Sequence, residues 1–98
     1  MSTSEIEETM NRLKAHKGVE SIIIYNSEQI PIRTWDSVGV NDPCVFAGVV
    51  EPLIAKAKAM TKQLDPTNEF THMRVRSAKN EILVYPHTDY TLVVAQKA

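Results

Sequence analysis

The sequence predicts an α+β domain: a five-stranded antiparallel sheet with helices on its faces, in the order α-β-β-α-β-β-β. Three observations lead there. Two segments carry apolar residues at helical spacing between helix start and stop signals. The last third, Phe70 to Gln96, reads as three strands joined by two tight turns, Ser77-Ala78-Lys79-Asn80 and Pro86-His87-Thr88-Asp89. The uninterrupted run Ile22-Ile23-Ile24-Tyr25 suits a strand buried on both faces.

The first helix is expected over Ser4 to His16. Ser4-Glu5-Ile6-Glu7 has the form of a capping box, and Glu5, Glu7 and Glu8 favour the positive end of the helix dipole. Ile6, Met10 and Leu13 share one face, and Gly18 supplies a left-handed stop. Val19 to Tyr25 follows as a strand, then a turn at Asn26-Ser27-Glu28-Gln29. The second strand, Ile30 to Trp35, contains Pro31. Proline cannot donate to a ladder, so this strand lies at a rim of the sheet.

Asp36 to Pro43 is read as a loop, with Asp42 as helix cap and Pro43 at the first helical position. The second helix runs to about Leu64, with Val45, Val49, Leu53, Ala57, Met60 and Leu64 on one side. Pro52 inside it kinks the rod or ends a first short turn. Asp65-Pro66 stops it. The meander then supplies strands over Phe70 to Arg76, Glu81 to Tyr85 and Tyr90 to Ala95. Phe70 to Arg76 holds neither proline nor glycine, whereas the other rim is blunted by Pro31. An open edge of this kind is closed by something, and a second copy of the chain is the expected partner.

Bulk properties narrow the function. The 98 residues make one domain, residues 1–98, with a thin stability margin that dimerisation would widen. Eleven basic and twelve acidic side chains give a net charge of −1, so no global field favours nucleic acid or an anionic membrane. There is no apolar run for a membrane span, and a single cysteine, Cys44, excludes an internal disulfide. The acidic first eleven residues do not form a signal or transit peptide, and the expected location is the cytoplasm.

The order and spacing of several short motifs resemble the roadblock family of dynein light chains. They are Lys17-Gly18-Val19, then Ile23-Ile24-Tyr25-Asn26, then Ile30-Pro31-Ile32 and Leu64-Asp65-Pro66. Met73-Arg74-Val75-Arg76-Ser77, Lys79-Asn80-Glu81-Ile82 and finally Pro86, Asp89 and Tyr90 complete the match. The resemblance implies the roadblock (profilin/longin-like) fold with strand order 2-1-5-4-3. It also implies a homodimer or a heterodimer with a paralogous light chain, in which third strands pair into a ten-stranded sheet and second helices pack across the two-fold axis. On that reading Val49, Leu53, Met60, Leu64, Phe70, Met73 and Val75 form the dimer interface. The implied role is a non-catalytic light chain of cytoplasmic dynein that binds the intermediate chain and serves microtubule-based transport of cargo. Related folds act as scaffolds for Ras-like small GTPases, which is the alternative. The chain departs from the family pattern at Gln29, where glycine is usual, and at Pro52, Ala78 and His87.

Candidate sites are few. His72, Arg74 and Arg76 share a strand face and read either as a solvated surface or as a cationic lining for a partner segment. Trp35 and Tyr90 read as partner anchors or as packing. His16, His72 and His87 are scattered, so no metal spacing and no cofactor motif is present. Cys44 at a helix start reads as a packed thiol rather than a nucleophile, and no catalytic set is visible.

Overall fold

The computed structural model describes residues 2–37 and 42–98. Within the second helix the side chains of Pro43, Cys44 and Val45 lie outside the described part, as do the middle of the Asp36–Pro43 loop and Gly39. The elements are α1 (Thr3–Lys14), β1 (Val19–Asn26), β2 (Pro31–Asp36), α2 (Pro43–Leu64), β3 (Met73–Arg76), β4 (Asn80–Pro86) and β5 (Tyr90–Lys97). Every neighbouring pair of strands is antiparallel, and the sheet order is β2-β1-β5-β4-β3. Pro31 therefore does sit on a rim, and β3 forms the other.

The first helix starts earlier than expected. Ser2, not Ser4, is the cap, and its hydroxyl accepts a hydrogen bond from the Glu5 amide at 3.2 Å. The S-x-x-E spacing occurs here as Ser2-Thr3-Ser4-Glu5, and capping by the earlier serine lengthens the helix by two residues over a Ser4 cap. The helix also ends at Lys14, with Ala15 as its C-cap, before Gly18 is reached. Gly18 has φ 92° and serves the turn into β1. Its carbonyl accepts from the Lys97 amide at 2.9 Å, which ties the end of β5 to this turn.

β1 is buried from Ser21 to Tyr25 because alternate residues serve opposite faces. Ile23 and Tyr25 join Val84, Val93, Val50 and Ile54 beneath α2. Ile22 and Ile24 join Ile6 and Met10 beneath α1. Each fully buried side chain of this kind contributes about 1.5–3 kcal/mol. Trp35 and Tyr90 pack against the α1 cluster, and the Lys14 ammonium lies 5.6 Å from the centre of the Trp35 ring. They are packing residues in this chain.

The β1–β2 turn solves the absence of glycine at position 29 by hydrogen bonding. Gln29 takes φ 61°. The Asn26 carboxamide oxygen accepts from the Glu28 amide at 2.9 Å and the Ile30 amide at 3.0 Å, and the Asn26 carbonyl accepts from the Gln29 amide at 3.0 Å. These bonds hold a left-handed residue that would otherwise cost about 1 kcal/mol or more.

α2 is one helix across Pro52. The proline does not end a first turn, and the carbonyl it leaves without its usual amide donor belongs to Gly48. β3 is shorter than the expected Phe70–Arg76. It pairs with β4 from Met73↔Val84 to Arg76↔Glu81. Continued, the ladder would bring Thr71 opposite Pro86, which has no amide to offer. Phe70 turns instead toward the core under α2.

Candidate interaction surfaces

α2 carries more apolar surface than the sheet can cover. Successive residues turn by about 100° around a helix, so Phe46, Val50, Ile54 and Ala57 share a face. Val50 and Ile54 on that face are buried in the core. Val49, Leu53, Met60 and Leu64 form a second stripe beside it, and all four are exposed. The expected stripe on this helix is thus the outer one. Nothing among the described residues covers it.

The edge of β3 lies on the same side of the sheet. Met73 and Val75 stand opposite Val84 and Ile82, both on the α2 face. Met73 packs into the core while Val75 stays exposed. The hairpin fixes the phase of the backbone. The Ser77 amide donates to the Asn80 carbonyl at 2.8 Å, so the amides of Ser77, Val75 and Met73 face β4. Those of Arg74 and Arg76 point outward, along an edge that no other strand among the described residues occupies.

The face away from α2 holds the three predicted partner-binding residues, and they differ in state. Arg74 Nε lies 2.6 Å from Glu81 Oε1. Glu81 is only 6% exposed, so this is a half-buried ion pair on the strand next to the edge. The Oε1 atom has the guanidinium charge beside it but no aligned hydrogen bond. His72 stacks on Tyr85, centroids 4.7 Å apart. Arg76 makes no ion pair among the described residues and is exposed. α1 covers the β1 half of this face and leaves the β4–β3 half open.

Among the described residues three features stand together: a strand edge with no neighbour, an uncovered apolar stripe beside it and a compact core behind. The Roadblock/LC7 domain profile matches residues 5–97. The chain belongs to the Roadblock/LC7 domain family. As a fold it is similar to MglB of Myxococcus xanthus, with TM-score 0.80 at 16% identity over 99% of this chain and 79% of that one. It is similar also to a Roadblock/LC7 domain from Streptomyces avermitilis (TM-score 0.74, 9% identity, 90% of this chain and 73% of that one). The gliding protein MglB from Thermus thermophilus gives a TM-score of 0.71 at 13% identity, over 96% of this chain and 69% of that one.

This roadblock chain carries no arranged catalytic set among its described residues. A groove between α2 and the turn ends is lined by Lys58, Glu69, Phe70, Pro86, His87 and Thr88. No hydrogen bond joins Lys58, Glu69 and His87, so the groove has no acid–base relay. His87 instead stacks on Tyr90 at 4.8 Å. Glu81 is the interaction residue that sequence reasoning missed. In the sequence it is placed only as the first residue of a strand. Its burial follows from a central position in the sheet, between Arg76 on β3 and Gln96 on β5.

Proposed function

We propose that this chain is a non-catalytic roadblock scaffold that works as one of a pair of subunits and holds or regulates a Ras-like small GTPase. The observation that carries the pairing is the free β3 edge next to the exposed Val49, Leu53, Met60 and Leu64 stripe. Two such stripes, brought together by a two-fold axis, bury each other while the edges complete one sheet. Val75 and the outer flank of Met73 complete the contact, with Phe70 supporting it from the core.

The similarity to MglB structures, one of them described as a gliding protein, supports the GTPase-scaffold reading over a motor subunit. The dynein light-chain role, with an intermediate-chain segment as ligand, rests on motif spacing alone. A cytoplasmic location goes with either reading. The deciding experiment is a binding comparison. Small GTPases loaded with GDP or a non-hydrolysable GTP analogue are titrated against the labelled chain, beside a dynein intermediate-chain peptide. Nucleotide-dependent binding of a GTPase is expected. Binding of the peptide alone would return the assignment to the motor.

A further inference from the structure

The groove between α2 and the turn ends of the sheet plays no part in pairing. Its larger compartment holds about 410 Å³. A smaller one of about 230 Å³ continues it toward the β1–β2 turn, and the two share Lys58, Pro86, His87 and Thr88. Around the helix, Lys58 and Glu51 stand about 140° and 160° from Leu53. A mate seated on the Leu53 stripe therefore leaves this flank of α2 open.

The charges of the groove are ordered. Glu51 lines only the smaller compartment, Glu69 only the larger, and Lys58 lines both. None of the three forms an ion pair among the described residues. Lys62, beside Glu69, donates instead to the Pro66 carbonyl at 3.5 Å. The Asp89 amide donates to His87 Nδ1 at 3.4 Å, and the ring stacks on Tyr90. With Nδ1 accepting, the neutral ring carries its proton on Nε2 and donates from there. Lys58, His87 and the Thr88 hydroxyl are thus donors between two carboxylates, while Phe70 and Pro86 give the larger compartment an apolar wall. Sites for small molecules are deep and mostly apolar. This groove is shallow, polar and continuous from one turn to the next, which suits an extended chain.

We infer that the groove receives an extended segment of a partner polypeptide, with an aspartate or glutamate set against Lys58, His87 and Thr88. Seven residues of helix separate Glu51 from Lys58, about 10 Å. An extended chain advances about 3.3 Å per residue, so a basic residue three positions from the acidic one reaches Glu51. An apolar residue on the other side of the acidic one lies against Phe70. Opposite charges at these positions select the segment and set its register. The contact is additional to subunit pairing and independent of it.

The test titrates the full chain with a blocked heptapeptide that has lysine at each end, glutamate in the middle and leucine beside it. Amide NMR spectra locate the binding. The amides of Lys58, Phe70 and Thr88 are expected to shift while those of Val49 and Leu53 stay in place. Lys58→Glu should weaken binding about three- to thirtyfold at low salt, with a smaller difference at high salt. A peptide with lysine in place of the central glutamate should prefer the Lys58→Glu chain over wild type. Glu51→Gln should weaken the original peptide, whereas a peptide with alanine at both ends should bind Glu51→Gln and wild type alike. Unmoved groove amides at millimolar peptide overturn the inference, and so does equal binding of the original peptide by wild type and Lys58→Glu. Inorganic phosphate or acetate binding as tightly as the peptide, with the same shifts, overturns the polypeptide occupant. The concentration dependence of sedimentation without peptide reports pairing separately, so each of these failures leaves the paired-subunit reading standing.

Discussion

Two neighbouring residues of α2 separate the core from the second apolar surface. Ile54 is 3% exposed and touches the cluster of Ile23, Tyr25, Val50, Val84 and Val93. Leu53, one residue earlier, is 46% exposed. Ile54→Ala removes buried methyl groups and leaves a cavity, which costs about 2–4 kcal/mol. For a domain of this size that lowers the melting temperature by roughly 10–25 °C. Leu53→Ala acts elsewhere. A fully buried leucine contributes about 1.5–3 kcal/mol, and with 46% of the residue still exposed close to half remains for a partner to bury. Two-fold symmetry doubles the effect, so the loss in pairing is about 1.5–3 kcal/mol, or roughly ten- to 150-fold in dissociation constant. Urea unfolding at a dilution where the chain is monomeric reads the first quantity, and sedimentation reads the second. The reasoning fails if Leu53→Ala costs the monomer as much as Ile54→Ala, or if it leaves the dissociation constant unchanged.

Other substitutions probe single contacts. Arg76→Pro removes an outward amide without touching the β3–β4 bonds, so it should abolish edge pairing in sedimentation while Arg76→Ala does not. Arg74→Ala leaves the buried Glu81 carboxylate without its counter-charge and should cost about 1–3 kcal/mol in urea unfolding. Ser2→Ala should cost about 1 kcal/mol through loss of the α1 cap, seen in the same assay. Asp65 is held below the ordinary value of 3.8 by hydrogen bonds from the Thr67 hydroxyl and amide. Its folded pKa is depressed, so its contribution to stability is complete above 3.8 and is lost as pH falls through the lower folded value. Thr67→Val should move the Asp65 titration, followed by NMR, back toward 3.8.

The two rims of the sheet were legible in the residues, because Pro31 suits only an edge strand and Phe70–Arg76 lacks any proline or glycine, while the order of the strands between them came from the family resemblance. The hairpins follow from their turn residues, as with Ser77 and Asn80. The phase of α2 was less legible. Phe46, Val50 and Ile54 and the stripe of Val49, Leu53, Met60 and Leu64 are both apolar, so spacing shows a helix without telling which stripe meets its own sheet. The basic row on β3 was visible as a row, because strands alternate. Its separation into a neutralised Arg74, a stacked His72 and a free Arg76 was not, since that depends on Glu81 and Tyr85 arriving beside it through the β3–β4 register. Serine at both position 2 and position 4 made the helix start ambiguous, and the earlier one caps it.

Amide hydrogen exchange across β3 tests the pairing claim most directly. The outward amides of Arg74 and Arg76 should be open in dilute solution and become protected as concentration rises. If they exchange freely at every concentration, while the Val49–Leu64 stripe also shows no change, the edge has no mate and the scaffold reading is contradicted.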